Sequence, residues 1–123
     1  MSSNTQLNFN YGFSQGRLTS APKGMLQWFP QKEWHKEFKK SSVLGCSFVE
    51  LLVERVHNPL NPFWSKSGRK EIILLNKKYG LTCYSICLDY IIDNSVLSSQ
   101  REKTYEYISK TLAMAHELKC KIL

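Results

Sequence analysis

The 123 residues include 17 Lys and Arg against 10 Asp and Glu, a net charge of +7 with histidines neutral, and 42% of the chain is hydrophobic. That is enough apolar matter for one globular domain and too little for two, and it excludes disorder driven by composition. No apolar run approaches the roughly 18 residues of a membrane-spanning helix, and the polar opening Met1-Ser-Ser-Asn-Thr-Gln6 lacks the order of a signal peptide, so a soluble cytoplasmic chain with no membrane partner is expected.

Residues 1–8 read as a flexible terminus and 9–123 as one domain. The first strand candidate is 9–13, with Phe9, Tyr11 and Phe13 on one face. Its exit runs Ser14-Gln-Gly-Arg-Leu18. Gly16 frees the backbone to turn, while Gln15 and Arg17 bring an amide and a guanidinium to the strand end. The loop 19–30 holds Pro22, Gly24 and Pro30 and the adjacent aromatics Trp28 and Phe29. Such a pair either plugs an interior or lines a ligand pocket, since an aromatic face suits the apolar face of a sugar.

A helix is predicted over 31–44, opened by Pro30 and stopped by Gly45, with Trp34, Phe38 and Leu44 as a partial apolar stripe. The central strand is 47–54. Val49, Leu51 and Val53 form a wholly apolar face, and Phe48, Glu50, Leu52 and Glu54 a mixed one, so both faces read as enclosed. Glu54 closes the strand, and in parallel sheets and barrels function sits where strands end. Asn58 and Asn61 each precede a proline, which excludes helix from 55–65. His57 has no companion at metal-ligand spacing and reads as a loop histidine, whereas His35 and His116 read as surface groups on helices.

A second helix is capped by Ser65 or Ser67 and runs to Tyr79, with Ile72, Leu75 and Tyr79 on one face and Gly80 as its stop. The third strand candidate is 81–90. Tyr84, Ile86 and Leu88 share one face, and Cys83, Ser85, Cys87 and Asp89 the other. After a loop through Asn94 and Ser95, Ser99 and Glu102 predict a capping box for a helix whose stripe is Tyr105, Ile108, Leu112 and Ala115, ending near Lys119. Residues 120–123 begin a fourth strand.

Repeated strand–helix units imply a parallel sheet with its helices on one side, the arc of a (β/α)₈ barrel. A whole barrel takes roughly 250 residues. The expected fold is therefore α/β, an incomplete TIM barrel of about three βα units plus the start of a fourth strand, with a small open α/β domain as the alternative. Cys46, Cys83, Cys87 and Cys120 contain no Cys-x-x-Cys pair, so reduced, mostly buried thiols are expected rather than zinc or disulfides. Lys32, Lys36, Lys39, Lys40, Lys70, Lys77 and Lys78 fall on predicted exposed helix faces or their ends, which reads as a solvated surface, whereas single-strand binding also calls for aromatics interleaved with the basic groups. This disfavours a nucleic-acid partner.

Tyr11-Gly-Phe-Ser-Gln-Gly-Arg-Leu18, Trp28-Phe-Pro30, Phe48-Val-Glu50, Asn58-Pro-Leu60 with Trp64-Ser65, and Ser85-Ile-Cys-Leu-Asp-Tyr90 together resemble the amino-terminal part of sugar phosphate isomerases/epimerases of the xylose-isomerase-like TIM-barrel superfamily. The resemblance spans 9–123. It implies aldose–ketose isomerisation or epimerisation of a sugar or sugar phosphate, and a divalent metal whose Glu, Asp, His and Glu ligands lie on later strands, so no metal ligand is assigned here. It further implies a substrate-facing rim in which Gln15 and Arg17 meet substrate oxygens or phosphate, and Glu54 and Asp89 meet sugar hydroxyls beside Trp28. For each acid, a structural ion pair with Arg17 or Arg55 is the equal alternative. Glu50 lies about 13 Å along the strand from Glu54, too far for a carboxylate dyad. This stretch alone is expected not to turn over sugar. The competing readings are a non-catalytic half-barrel that associates with itself or a partner through open sheet edges, and an apurinic-endonuclease-like DNA repair enzyme.

Overall fold

A computed structural model describes residues 9–123, so the terminus expected at 1–8 lies outside the described residues. In chain order the elements are β1 (Gly12–Ser14), α1 (Trp34–Val43), β2 (Phe48–Val53), a 3₁₀ turn (Pro62–Trp64), α2 (Lys66–Tyr79), β3 (Ile86–Leu88), the short α3 (Tyr90–Asp93) and α4 (Arg101–Glu117). The fold is mixed α/β, built on a three-stranded parallel sheet in the order β1-β2-β3. Phe13 sits opposite Val49 on one side of β2, and Cys87 sits opposite Leu52 on the other. The expected fourth strand is a single parallel bridge, Ser85 to Ile122, on the far side of β3.

Alternation along β2 sends Val49, Leu51 and Val53 to one face, where they are buried with Ile86. Trp34 and Phe38 of α1, Ile72 of α2, and Ala115 with the adjoining Leu118 of α4 complete the same core. Each such side chain contributes about 1.5–3 kcal/mol on burial, so this layer dominates stability and leaves the opposite face of β2 for polar work. The ends of α2 follow the sequence closely. Ser65 Oγ accepts the Gly68 N–H at 2.9 Å, and Gly80 takes the left-handed conformation at φ 66°.

Four expectations are corrected. The Phe9, Tyr11, Phe13 face remains exposed, and the strand starts only at Gly12. The Asn-Pro segment does hold helical backbone, the 3₁₀ turn. Asn61 Oδ1 accepts the Phe63 N–H, and Pro62 stands at the first position, where the missing N–H costs nothing.

The third strand is interrupted. Phe48 bridges Thr82 while Leu51 pairs with Ile86, so three steps along β2 face four along its neighbour. That extra residue exchanges the faces. Cys83 joins the helix-side core, Ser85 turns to Glu50, and Tyr84 lies partly exposed with its ring 4.9 Å from that of Phe48.

On α4 the Ser99–Glu102 capping box does not form. Ser98 Oγ instead accepts the Gln100 N–H at 3.2 Å. The buried stripe of that helix is Thr104, Thr111 and Ala115, with Tyr107 and Met114 packed alongside, whereas Tyr105 and Leu112 are each 50% exposed. Threonine fits because its hydroxyl is satisfied within the helix: Thr111 Oγ1 donates to the Tyr107 carbonyl at 2.8 Å.

Candidate functional site

The carboxyl ends of β2 and β3 open into a cleft of about 600 Å³ lined by Trp28, Phe29, Leu52, Glu54, Arg55 and Asp89, with residues 24–27 closing one side. Its size suits a small organic ligand, and its position is where parallel α/β sheets bind them. A larger groove of about 800 Å³ runs outside, between α1 and α2, rimmed by the exposed Lys36, Lys39, Lys40 and Lys78, away from the strand ends.

Glu54 is held through both oxygens by side-chain amides. Asn58 Nδ2 donates to Oε1 at 2.8 Å and Asn61 Nδ2 to Oε2 at 2.7 Å. Asn61 is itself buried, and it also donates to the Leu52 carbonyl at 2.8 Å. These asparagines occupy the fourth and seventh positions after Glu54, and the prolines that follow them fix the turn that brings them back. The ion pair weighed for Glu54 is not formed. Arg55 instead clasps Asp93 with two 2.6 Å bonds, drawing that carboxyl below its ordinary range.

Asp89 is buried at the end of β3 and accepts from Cys87 Sγ at 3.1 Å. Burial, together with the Asp89 carboxylate, pushes the Cys87 thiol up to about 12, so at neutral pH it is a donor and not a nucleophile. Trp28 is half-buried and donates from Nε1 to the Gly16 carbonyl at 3.0 Å, leaving its ring on the cleft, whereas Phe29 packs into the core.

The other two sequence-predicted residues lie elsewhere. Gln15 is 2% exposed, with Oε1 accepting the Leu52 N–H at 2.8 Å. Arg17 is exposed and donates from Nη2 to Oε1 of the cleft-lining Gln27 at 3.1 Å. The structure thus gathers Trp28, Glu54 and Asp89 on one cleft, builds Gln15 into the sheet and leaves Arg17 outside, in contact with Gln27.

Three arrangements were not read from sequence. Ser14 Oγ and Ser85 Oγ donate to the two oxygens of Glu50 at 2.6 and 2.7 Å, joining β1 and the chain leading into β3 to β2 on the face opposite the helices. Glu37, on the buried side of α1, accepts the Gly16 N–H through both oxygens (2.8 and 3.0 Å), the Leu18 N–H at 3.2 Å and Thr19 Oγ1 at 3.1 Å. It fixes the loop on which Trp28 leans, and burial raises its carboxyl above the ordinary value against the pull of those donors. His57 Nδ1 lies 2.9 Å from Tyr107 Oη, and the Tyr107 ring stacks on Tyr90 at 3.6 Å. Burial foremost, then the neighbouring Tyr90 and Glu54, hold the Tyr107 phenol well above its usual range.

Neither Glu54 nor Asp89 fits a divalent metal as placed. Both oxygens of Glu54 face N–H donors, which a hard cation would have to displace, and among the described residues no group of three His, Cys, Asp or Glu side chains is placed to hold an ion. Compared with protein-family models, with curated proteins and with solved structures, the chain matches none.

Proposed function

We propose that the chain is the amino-terminal part of a (β/α)₈ TIM barrel of xylose-isomerase-like kind, binding a sugar or sugar phosphate in support of isomerisation or epimerisation by proton transfer next to a carbonyl. One observation carries this reading. Consecutive parallel strands lie side by side, the core helices pack on one face, and a cleft at the carboxyl ends sets an aromatic ring beside two carboxylates. The Trp28 ring supplies an apolar platform for one face of a pyranose or an open-chain sugar. Glu54, oriented by two amides, accepts from sugar hydroxyls, and Asp89 does so from the neighbouring strand end. Arg17, outside the cleft but bonded to its lining residue Gln27, suits a phosphate group bidentately. Holding and orienting the sugar is the work of these residues. The divalent metal that the resemblance implies has no donor set among them.

Titration of free and phosphorylated aldoses and ketoses, followed by tryptophan emission and calorimetry, tests the reading. Binding abolished by Trp28→Ala and weakened at least tenfold by Glu54→Gln is expected, with Arg17→Ala affecting the phosphorylated sugars alone. No binding of any sugar at about 10 mM would overturn it. The exposed Phe13 beside an outer β1 edge that pairs with nothing among the described residues favours a second reading, self-association through that edge. A monomer at every concentration in sedimentation equilibrium would remove it.

A further inference from the structure

The bridge between Ser85 and Ile122 fixes the register of the closing segment against the chain leading into β3. Cys83 and Cys120 each lie two residues before their end of that bridge. A disulfide spans Cα separations of roughly 4.4–6.8 Å, within the reach of side chains packed together from neighbouring segments. The N–H groups of Lys121 and Ile122 both reach the Tyr84 carbonyl, at 3.1 and 3.0 Å, and Cys120 Sγ lies 3.4 Å from the same oxygen. Both thiols lie on the helix side, Cys83 because the extra residue between Thr82 and Ile86 turns it there. Cys83 belongs to the buried core, and Cys120 packs against it with its sulfur partly open to solvent.

We propose that Cys83 and Cys120 are a site of reversible covalent modification, closing to a disulfide that clasps the start of the fourth strand to the third. The order of events follows from access. The Cys120 thiolate attacks a small-molecule disulfide, forming a mixed disulfide and releasing one thiolate. Cys83 then gives up its proton and attacks the Cys120 sulfur, and the second small thiolate leaves. In sum, two protein thiols and one small disulfide become one protein disulfide and two small thiols, the electron pair passing to the oxidant.

Burial and the adjacent Cys120 keep the Cys83 thiol well above its usual range, which makes the second step the slow one. Cys46 is buried on its own and Cys87 donates to Asp89, so neither competes for the exchange. The site is independent of the sugar-binding cleft and stands whether or not that reading holds.

The full chain, reduced and then incubated in hydroxyethyl disulfide at pH 8, would be alkylated and mapped by mass spectrometry. A peptide pair joined through Cys83 and Cys120 is expected, short by two hydrogens, with Cys46 and Cys87 alkylated. Amide exchange at Ile86 and Ile122 should slow in the joined form, and Cys83→Ser should halt the reaction at the mixed disulfide on Cys120. A mixed disulfide that persists on Cys120 of the unaltered chain, a link through Cys46 or Cys87, or four alkylated thiols would each overturn the proposal. Native circular dichroism of the Cys83→Ser chain separates a halted reaction from a misfolded one.

Discussion

Replacing Glu37 with alanine tests whether one buried carboxylate organises the rim of the cleft. The Gly16 N–H is itself buried, and without Glu37 it has no acceptor, a loss of about 1–3 kcal/mol. Leu18 and Thr19 are half-buried and recover water in part, adding a few tenths of a kcal/mol each. The sum, about 2–4 kcal/mol, is a large share of the roughly 5–15 kcal/mol that holds a typical domain folded. In urea, with a slope of about 2 kcal/mol per molar, the middle of the usual range, the midpoint should fall by about 1–2 M.

Glu37→Gln keeps the shape and one acceptor oxygen but turns an NH₂ toward the same donors, so it should fall between the two. The pH dependence has a definite sign. Burial makes Glu37 hold its proton to higher pH in the native state than in the unfolded chain. Its contribution to stability is therefore largest below the unfolded-state value, falls as pH rises through the interval between the two, and is level above the native one. Glu37→Ala should remove that slope. An unfolding free energy within about 0.5 kcal/mol of that of the unaltered chain would refute the reasoning, because surface substitutions alone reach that size.

Gly68→Ala should be among the most damaging single-methyl additions. A Cβ there would stand 2.2 Å from the Pro62 carbonyl oxygen and 2.5 Å from its Cα, both backbone atoms, so α2 and the 3₁₀ turn must part, at about 2–4 kcal/mol in thermal or chemical melts. Asn61→Ala loses bonds to Leu52, Glu54 and Phe63 together. A cost of about 2–3 kcal/mol is expected, along with weaker sugar binding as Glu54 loosens, and unchanged stability would contradict the description of Asn61 as a buried hub. Glu117→Ala strands the buried Arg69 guanidinium, whose Nε it holds at 2.7 Å. About 1–3 kcal/mol is expected, less than for a fully buried pair because Glu117 is half exposed, and adding Arg69→Met should restore part of it. A double-mutant cycle reads that sign directly.

Much of the layout was legible because it rests on local chemistry. Ser65 and Gly80 bracket α2 through a hydroxyl cap and a left-handed stop, and the period-two alternation of β2 names the residues of its buried face. The cleft was legible in part, since Glu54 and Asp89 directly follow their strands and Trp28 stands in the proline- and glycine-bearing loop before α1. What escaped the sequence depends on long-range pairing. An extra residue between Thr82 and Ile86 carries no local mark, yet it moves Cys83 and Ser85 to opposite sides. Tyr105 and Leu112 look like core by hydrophobicity, but Thr104 and Thr111 take that place because burial is decided by what faces the sheet. Glu37 reads as one more charge on an amphipathic helix, and only the returning loop reveals its three partners.

Gln15 does something a strand residue cannot do with its main chain alone. Its side-chain oxygen takes the Leu52 N–H one step beyond the Glu50 carbonyl that its own N–H has already used. A carboxamide is chemically a peptide group, so the sheet gains a counterfeit rung after the real backbone has turned aside. The loop can then leave early without abandoning a β2 amide to the dark interior. Asparagine, one methylene shorter, would fall about 1.5 Å short, and glutamate would supply the oxygen only by bringing in a charge. Position 15 is therefore spelled by the grammar of the backbone, written in a side chain.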